Sequence, residues 1–266
     1  MKILITGCAG MIGSYLTSDL LRTYPKESGH KIVGIDNLSR GKIINLKEAC
    51  GTFWEDLKFI EADLSNFDQS WVNELRNCDL IIHLADVVAG ICYVFSNESL
   101  VFRTNLIINS NVSKAIYNSP PKRYIYIGTA CSFPKNLQLS TNSRPLIEED
   151  QFPALPESGY GWSKLMGEIE SNYLAELSSW LDELCPLDVF SLSDSIPNEV
   201  LDLDVVDGGN EAEMLPALLQ EVTYARGSIL DSTAGIAAAV RSSIKGIVVP
   251  HPLSARLAAI KVNLMN

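Results

Sequence analysis

Tyr160 and Lys164 stand at positions i and i+4 of the stretch YGWSK, and a little upstream Thr129 and Cys131 fall in YIYIGTACSFP. On a helix such a pair shares one face, so a phenol and an ammonium are expected to project into one site. An ammonium beside a phenol favours the phenolate, which lowers the tyrosine pKa and turns an inert hydroxyl into a base. Thr129 is expected at the end of an apolar strand run, within reach of both a substrate oxygen and Tyr160. Thr129, Tyr160 and Lys164 together describe a site for hydride transfer. Taken singly, each has a plainer use: a solvated lysine beside a half-buried aromatic, and a small buried thiol at a strand end.

A second constellation lies at the start of the chain. In ITGCAGMIGSYL, Gly7, Gly10 and Gly13 follow the run KILIT and lead into a helical pattern that begins near Met11 and Ile12. In such a turn the first glycine permits a tight bend and the second lets backbone approach a pyrophosphate. The third lets the helix close on the strand. The phosphates would then lie at the helix N-terminus, where unpaired N–H groups and the macrodipole favour negative charge. Asp36, followed by Asn37, ends the next apolar run, placed for its carboxylate to accept from a ribose diol. An acid there also repels a 2′-phosphate and favours NAD over NADP, although Arg40 works against that preference. Asp63, followed by Leu64, is either an adenine contact or a cap for the segment SNFD. No metal is expected.

These residues need elements to hold them. KILIT, KIVGID, LKFIEAD, DLIIHLA and RYIYIGT are short runs rich in Ile, Val, Leu and Tyr, and each is followed by a stretch of helical spacing. Their nearly continuous apolarity predicts strands covered on both faces, hence an α/β fold with a doubly wound parallel sheet and helices above and below. Ile12, Leu16, Leu20 and Leu21 mark one helix face. Leu100, Leu106, Ile107, Val112 and Ile116 mark another between Ser99 and Asn118. The chain has 266 residues and a formal charge of −11, which repels nucleic acid and anionic membrane surfaces. Its cysteines (Cys8, Cys50, Cys78, Cys92, Cys131 and Cys185) show no CxxC pair, so reduced thiols are expected, with Cys8 only packing. No apolar stretch approaches the roughly 18 residues that span a bilayer, and the composition is that of a cytoplasmic protein.

The glycine trio, Asp36, HLAD at 83 to 86, Asn105, Thr129 and YGWSK together resemble the extended short-chain dehydrogenase/reductase superfamily, and within it the nucleotide-sugar epimerases. The resemblance covers about residues 1 to 176. It implies a Rossmann-type NAD-binding domain, a nucleotide-sugar substrate and a homodimer built through two long helices. GTACSFP is most similar to the corresponding segment of the GDP-mannose 3,5-epimerases, with the GDP-4-keto-6-deoxymannose epimerase-reductases close behind. Carried over, Thr129 takes the place of the catalytic serine or threonine, Tyr160 that of the redox base and Lys164 its partner. Cys131 becomes the acid/base that epimerises the ring beside a transient keto group. Leu84 and Ala85 line the cofactor, as does Asn105, and Tyr160 and Lys164 reach it as well. Gly90 lies in a sugar-facing loop with Ala130 nearby, whereas His83 is structural. Ala130 and Cys131 stand where the sugar dehydratases carry an Asp-Glu pair, which disfavours dehydration.

Beyond residue 176 the resemblance thins. LDVFSLSDSIPNEVL is expected to hold a further strand, but the arginine and the YGP segment of the family are missing. From Leu165 through Ala225 there is no Lys or Arg, while acids accumulate from Asp182 to Glu213. A lobe that holds a diphosphate ordinarily presents basic groups. Residues 177–266 are therefore expected to form a divergent, truncated or rearranged region. The alternative to an active epimerase is a cofactor-binding protein without a working substrate lobe, a sensor or partner subunit.

Overall fold

A computed structural model of the chain describes residues 1–139, 144, 146–182, 188–191 and 256–262, with side-chain surroundings described through Ala175. The amino-terminal runs form β1 (Lys2–Thr6), β2 (Lys31–Asp36), β3 (Leu57–Glu61), β4 (Leu80–His83) and β5 (Arg123–Thr129), as the sequence predicts. Between them run α1 (Met11–Thr23), α2 (Ile43–Cys50), α3 (Gln69–Leu75), α4 (Ile91–Ser96) and α5 (Glu98–Asn118). After β5 come α6 (Gly159–Asp182), β6 (Asp188–Ser191) and β7 (Arg256–Val262). The strands make one sheet in the order β3-β2-β1-β4-β5-β7-β6, every pairing parallel.

Successive strand residues point to opposite faces, so each apolar run feeds two cores. Ile3, Ile5, Ile82, Ile125 and Ile127 face α1 and α2, where Leu16, Leu20, Leu21 and Leu46 cover them. Leu4, Ile81, Tyr124 and Tyr126 face the other way, against Trp71, Val72 and Leu75 of α3 and Val112 and Ile116 of α5. This two-sided cover accounts for the nearly unbroken apolar runs. The same parallel geometry gathers all strand C-termini on one edge, where open α/β sheets place their ligands.

The core face of α5 differs from the one its apolar residues predict. Val101, Asn105, Ile108, Asn109, Val112 and Ile116 are buried, whereas Leu100 and Ile107 are exposed and Leu106 is only half-buried. Two asparagines occupy the inward stripe because their amides are needed there, as described below, and counting apolar residues alone rotates the face.

β6 lies within the segment expected to hold a strand. β7 was not expected, because a short LAAI run between Arg256 and Lys261 has no clear period. It pairs along the whole of β5, from Arg123 opposite Arg256 to Thr129 opposite Val262, and β6 joins its far side. The remainder of 177–266, including the acid-rich stretch, lies outside the described residues. No described helix is long and apolar enough to cross a membrane.

Adjacent residues of α5 test the assigned face. Ile108→Ala should lower unfolding free energy by about 2–5 kcal/mol, and Ile107→Ala by less than about 0.5 kcal/mol, as read from urea denaturation.

Candidate active site

The loop from β1 into α1 is closed by backbone contacts that leave no room for side chains. Gly7 has φ +70°, and a β-carbon there would fall 2.8–2.9 Å from the Ala85 backbone. A β-carbon on Gly13 would overlap the Gly7 carbonyl oxygen. Gly10 is different: its nearest neighbour would be that same oxygen at 3.3 Å, and beyond it the space is open. Gly10 is also the N-cap of α1, with no side-chain cap and no acid in the first turn. The helix start at Met11 and Ile12 thus presents its dipole to open space, which suits an anion. Cys8 is fully buried behind this turn, its side chain against Gly34.

Asp36 at the end of β2 ties the neighbouring loops together. Its Oδ2 accepts from the Ala9 N–H at 2.9 Å and its Oδ1 from the Leu38 N–H at 2.8 Å, leaving further lone pairs on each oxygen. Leu38 has φ +56°, a left-handed conformation uncommon for a leucine. Asn37 is exposed and accepts from the Ser39 N–H. Gly41 brings this loop over the glycine turn, since a β-carbon there would fall 2.6–2.8 Å from Ala9. Arg40 is exposed. At the end of the next strand Asp63 caps its own turn, accepting from the Ser65 N–H at 2.9 Å. Leu64 is buried in the core, so only its backbone is available at the edge.

The segment after β4 is held from two sides. Thr6 Oγ1 accepts from the Leu84 and Ala85 N–H groups at 3.2 and 3.1 Å, and it lies 2.7 Å from His83 Nδ1. His83 Nε2 lies 3.1 Å from Asn109 Oδ1. With the amide oxygen as acceptor, the network assigns the ring proton to Nε2 and the lone pair on Nδ1 to the Thr6 hydroxyl. Burial, with the Lys164 charge nearby, pushes the imidazole down to about 3, so His83 is neutral and structural. Asn105 is fully buried: its Oδ1 accepts from the Val87 N–H at 2.7 Å, and its amide donates to the Val87 carbonyl and to Ser163 Oγ. It therefore bears on the site by clamping the loop. Gly90 ends that loop as the exposed N-cap of α4.

At the end of β5 the chain brings the four candidate groups together. Thr129 is fully buried, and its Oγ1 accepts from the Cys131 N–H at 3.2 Å. Ala130 is buried with its carbonyl accepting from Phe133 and Gln138. The turn is fixed to α6 through Gln151, which donates to Ser132 Oγ and to Glu168 Oε2. Cys131 packs against Tyr160 with Val94 and Val101. A β-carbon on Gly161 would overlap the Cys131 carbonyl oxygen, so α6 begins in backbone contact with this turn.

The electrostatics of Tyr160 run opposite to the sequence expectation. Its pKa is raised, first by burial and then by the Asp86 carboxylate, with the Lys164 ammonium pulling it only partly back. Lys164 Nζ lies 3.0 Å from Asp86 Oδ2 and 4.5 Å from the centre of the Tyr126 ring, so the carboxylate offsets its charge at the phenol. Cys131 is likewise raised, mainly by burial, with Glu157 adding to it and Thr129 opposing. Both groups hold their protons in the free protein. Within HLAD the sequence assigns Asp86 no role, and an acid closing an apolar strand run is the one signal that marks it.

An α/β sheet carrying a glycine turn at β1, an acid at the end of β2 and a Thr-Cys-Tyr-Lys cluster beyond β5 defines the class: a dinucleotide-dependent enzyme fold. Residues 3–179 match the NAD dependent epimerase/dehydratase family, and the chain belongs to it. It is 31% identical over 177 residues to GDP-mannose 3,5-epimerase of Arabidopsis thaliana, covering 63% of this chain and 41% of that one. To UDP-glucose 4-epimerase of Mycolicibacterium smegmatis it is 27% identical, covering 66% of this chain and 52% of the relative. The solved UDP-Glc/GlcNAc 4-epimerase of Campylobacter jejuni superposes with TM-score 0.55 at 28% identity, over 71% of this chain and 53% of that one. The chain thus spans about half the length of the relatives it matches. NAD is the cofactor of the family, and the crowded glycine turn, the uncapped helix start and the spare lone pairs of Asp36 fit it.

The neutral histidine gives a pH-dependent test of this edge. His83 has a folded pKa of about 3 against an ordinary 6.5, so the unfolded chain takes up the proton first. Its stabilisation is complete above about pH 6.5 and is lost as pH falls toward 3. Urea midpoints measured across that window should fall less steeply in His83→Gln than in the parent.

Proposed function

We propose that this chain is an NAD-dependent epimerase acting on a nucleotide-diphosphate sugar of the GDP-mannose kind, through a transient keto sugar. The observation that carries the reading is the gathering of the buried Thr129, Tyr160 and Lys164, with the half-buried Cys131 between Thr129 and Tyr160, at the strand C-terminal edge. Thr129, Tyr160 and Lys164, all buried, favour it over a protein that only binds the dinucleotide.

In this reading Gly7, Gly10, Met11, Ile12 and Gly13 take the pyrophosphate, and Asp36 with Asn37 takes the adenosine ribose. Asp63 and Leu64 meet the adenine, while Leu84, Ala85 and Asn105 build the wall after β4. Tyr160 and Lys164 stand at the redox end. When bound, NAD supplies a reversible hydride acceptor and, in its oxidised form, a positive charge that favours phenolate. Tyr160 takes the proton of a sugar hydroxyl and later returns it, and Thr129 orients the same oxygen. The carbon beside the resulting carbonyl is acidic. Cys131 removes or returns the proton at that carbon: the C–H proton passes to the sulfur as the enolate forms, and a proton passes back to carbon as the carbonyl is restored, the raised thiol favouring the return. Gly90 and Ala130 border the sugar.

A homodimer through α5 and α6 belongs to the same proposal, and α5 and α6 both carry exposed apolar side chains, among them Leu100, Ile107, Tyr117 and Tyr173. A cytoplasmic location is proposed with it. The second reading, a binding protein without a working sugar lobe, is favoured by the absence of Lys and Arg from Leu165 to Ala225.

Incubation with NAD and GDP-mannose in deuterated water separates the two. Deuterium entering the ring supports the epimerase, and NAD binding without exchange supports the second reading. Cys131→Ser should suppress exchange and leave NAD affinity unchanged, whereas unaltered exchange removes the thiol from the mechanism. Tyr160→Phe should slow exchange about a hundredfold or more.

A further inference from the structure

Asp86 is an acid buried where the proposed reaction has no step for it. Its side chain is 5% exposed, and that of Lys164 is also 5% exposed, with Nζ and Oδ2 3.0 Å apart. Both carboxylate oxygens are buried, and that burial pushes the carboxyl up while the Lys164 ammonium and the Val87 N–H hold it down. A carboxylate so placed is not there for solubility. Its position is over-determined: Ala85 before it lies against Gly7, and Val87 after it is clamped at both backbone groups by Asn105. Asn105 in turn donates to Ser163, the neighbour of Lys164, so one amide sets the loop and the helix together.

We propose that Asp86 is a positioning residue that acts through Lys164, pairing with the ammonium and offsetting its charge at the Tyr160 hydroxyl so that Tyr160 stands in the free protein as a proton donor. The pair is electrically neutral as a whole, and it cancels the attraction that a lone ammonium would exert on a phenolate. Lys164 lies over the Tyr126 ring, a second anchor that keeps it turned to the carboxylate. Every charged or titratable neighbour fits this assignment. Asp86 from the β4 loop, Lys164 from α6, Tyr126 from β5 and Cys131 from the following turn face Tyr160. His83 of β4 faces Lys164 but is neutral. Glu157 lies toward Cys131, and Glu168 and Glu170 lie toward Tyr126, so none supplies a positive charge.

The consequence deepens the epimerase reading and rests on it for its use. A site whose phenol is protonated at rest receives its base form only once a further positive charge has arrived, which ties proton abstraction to the loaded state. Asp86 is then the residue that sets this threshold.

The test needs neither sugar nor cofactor. The full chain labelled with tyrosine ¹³Cζ is titrated toward alkaline pH by NMR, and the Tyr160 signal is assigned by its loss in Tyr160→Phe. In the parent, Tyr160 should ionise later than the exposed tyrosines. In Asp86→Asn its midpoint should fall by about one pH unit or more, tenfold in the ionisation constant. Asp86→Ala should behave as Asp86→Asn, and either one that folds suffices. Asp86→Glu, which keeps the charge, should hold the midpoint high. A midpoint unmoved by Asn and Ala, or lowered equally by Glu, overturns the proposal. Because NAD is absent, failure of the epimerase reading would appear separately, as lack of coenzyme binding.

Discussion

The Gly7 carbonyl oxygen occupies the space that a β-carbon at position 13 would need, and the Ala85 backbone occupies the space of one at position 7. Three pieces of main chain, the end of β1, the start of α1 and the exit of β4, are thereby brought into direct contact. No packing of side chains could bring them so near. The remainder of the edge is built outward from this point: Asp36 bonds across to Ala9, Gly41 folds a loop over the same turn, and Ala85 carries Asp86 toward α6. A bulkier residue at position 7 or 13 would disturb the glycine turn and the Asp86–Lys164 side of the edge at once.

The site is also shaped by what burial does to charge. His83, Cys131, Tyr126 and Tyr160 are pushed toward their neutral forms by loss of water, and Lys164 is the one cation among the described residues that faces them. Burial opposes the charge of Asp86 as well, but the Lys164 ammonium 3.0 Å away supports it. Asp86 answers that cation, so the resting site carries almost no net charge. Such an arrangement holds protons where a reaction would need to move them, and it makes the site responsive to a charged visitor. Asparagine amides, rather than further ions, do the holding: Asn105 and Asn109 tie β4, α5 and α6 together without adding charge.

Much of this was legible in the residue order. The five amino-terminal strands, the glycine turn, Asp36 and the Thr129-Tyr160-Lys164 group follow from period and spacing, because each depends on neighbours in sequence or on one parallel sheet edge, whereas Cys131 joined them only through the family resemblance. The inward face of α5 did not, because buried asparagines look like surface residues until their partners are known. The strand β7 did not, because its neighbour β5 lies more than a hundred residues earlier and nothing local announces the pairing. The sign of the Tyr160 shift was missed for a related reason. YGWSK places the ammonium beside the phenol on α6, but Asp86 reaches the same ammonium from the loop after β4.

The central claim is that the crowded glycine turn and the Asp36 edge hold the dinucleotide against the Tyr160 cluster. Calorimetric titration of NAD into the purified chain tests it most directly, with Gly13→Val as the paired sample. The expected result is saturable one-to-one binding by the parent and loss of that binding in the variant. No saturable binding of NAD in either oxidation state by the folded parent would contradict the account.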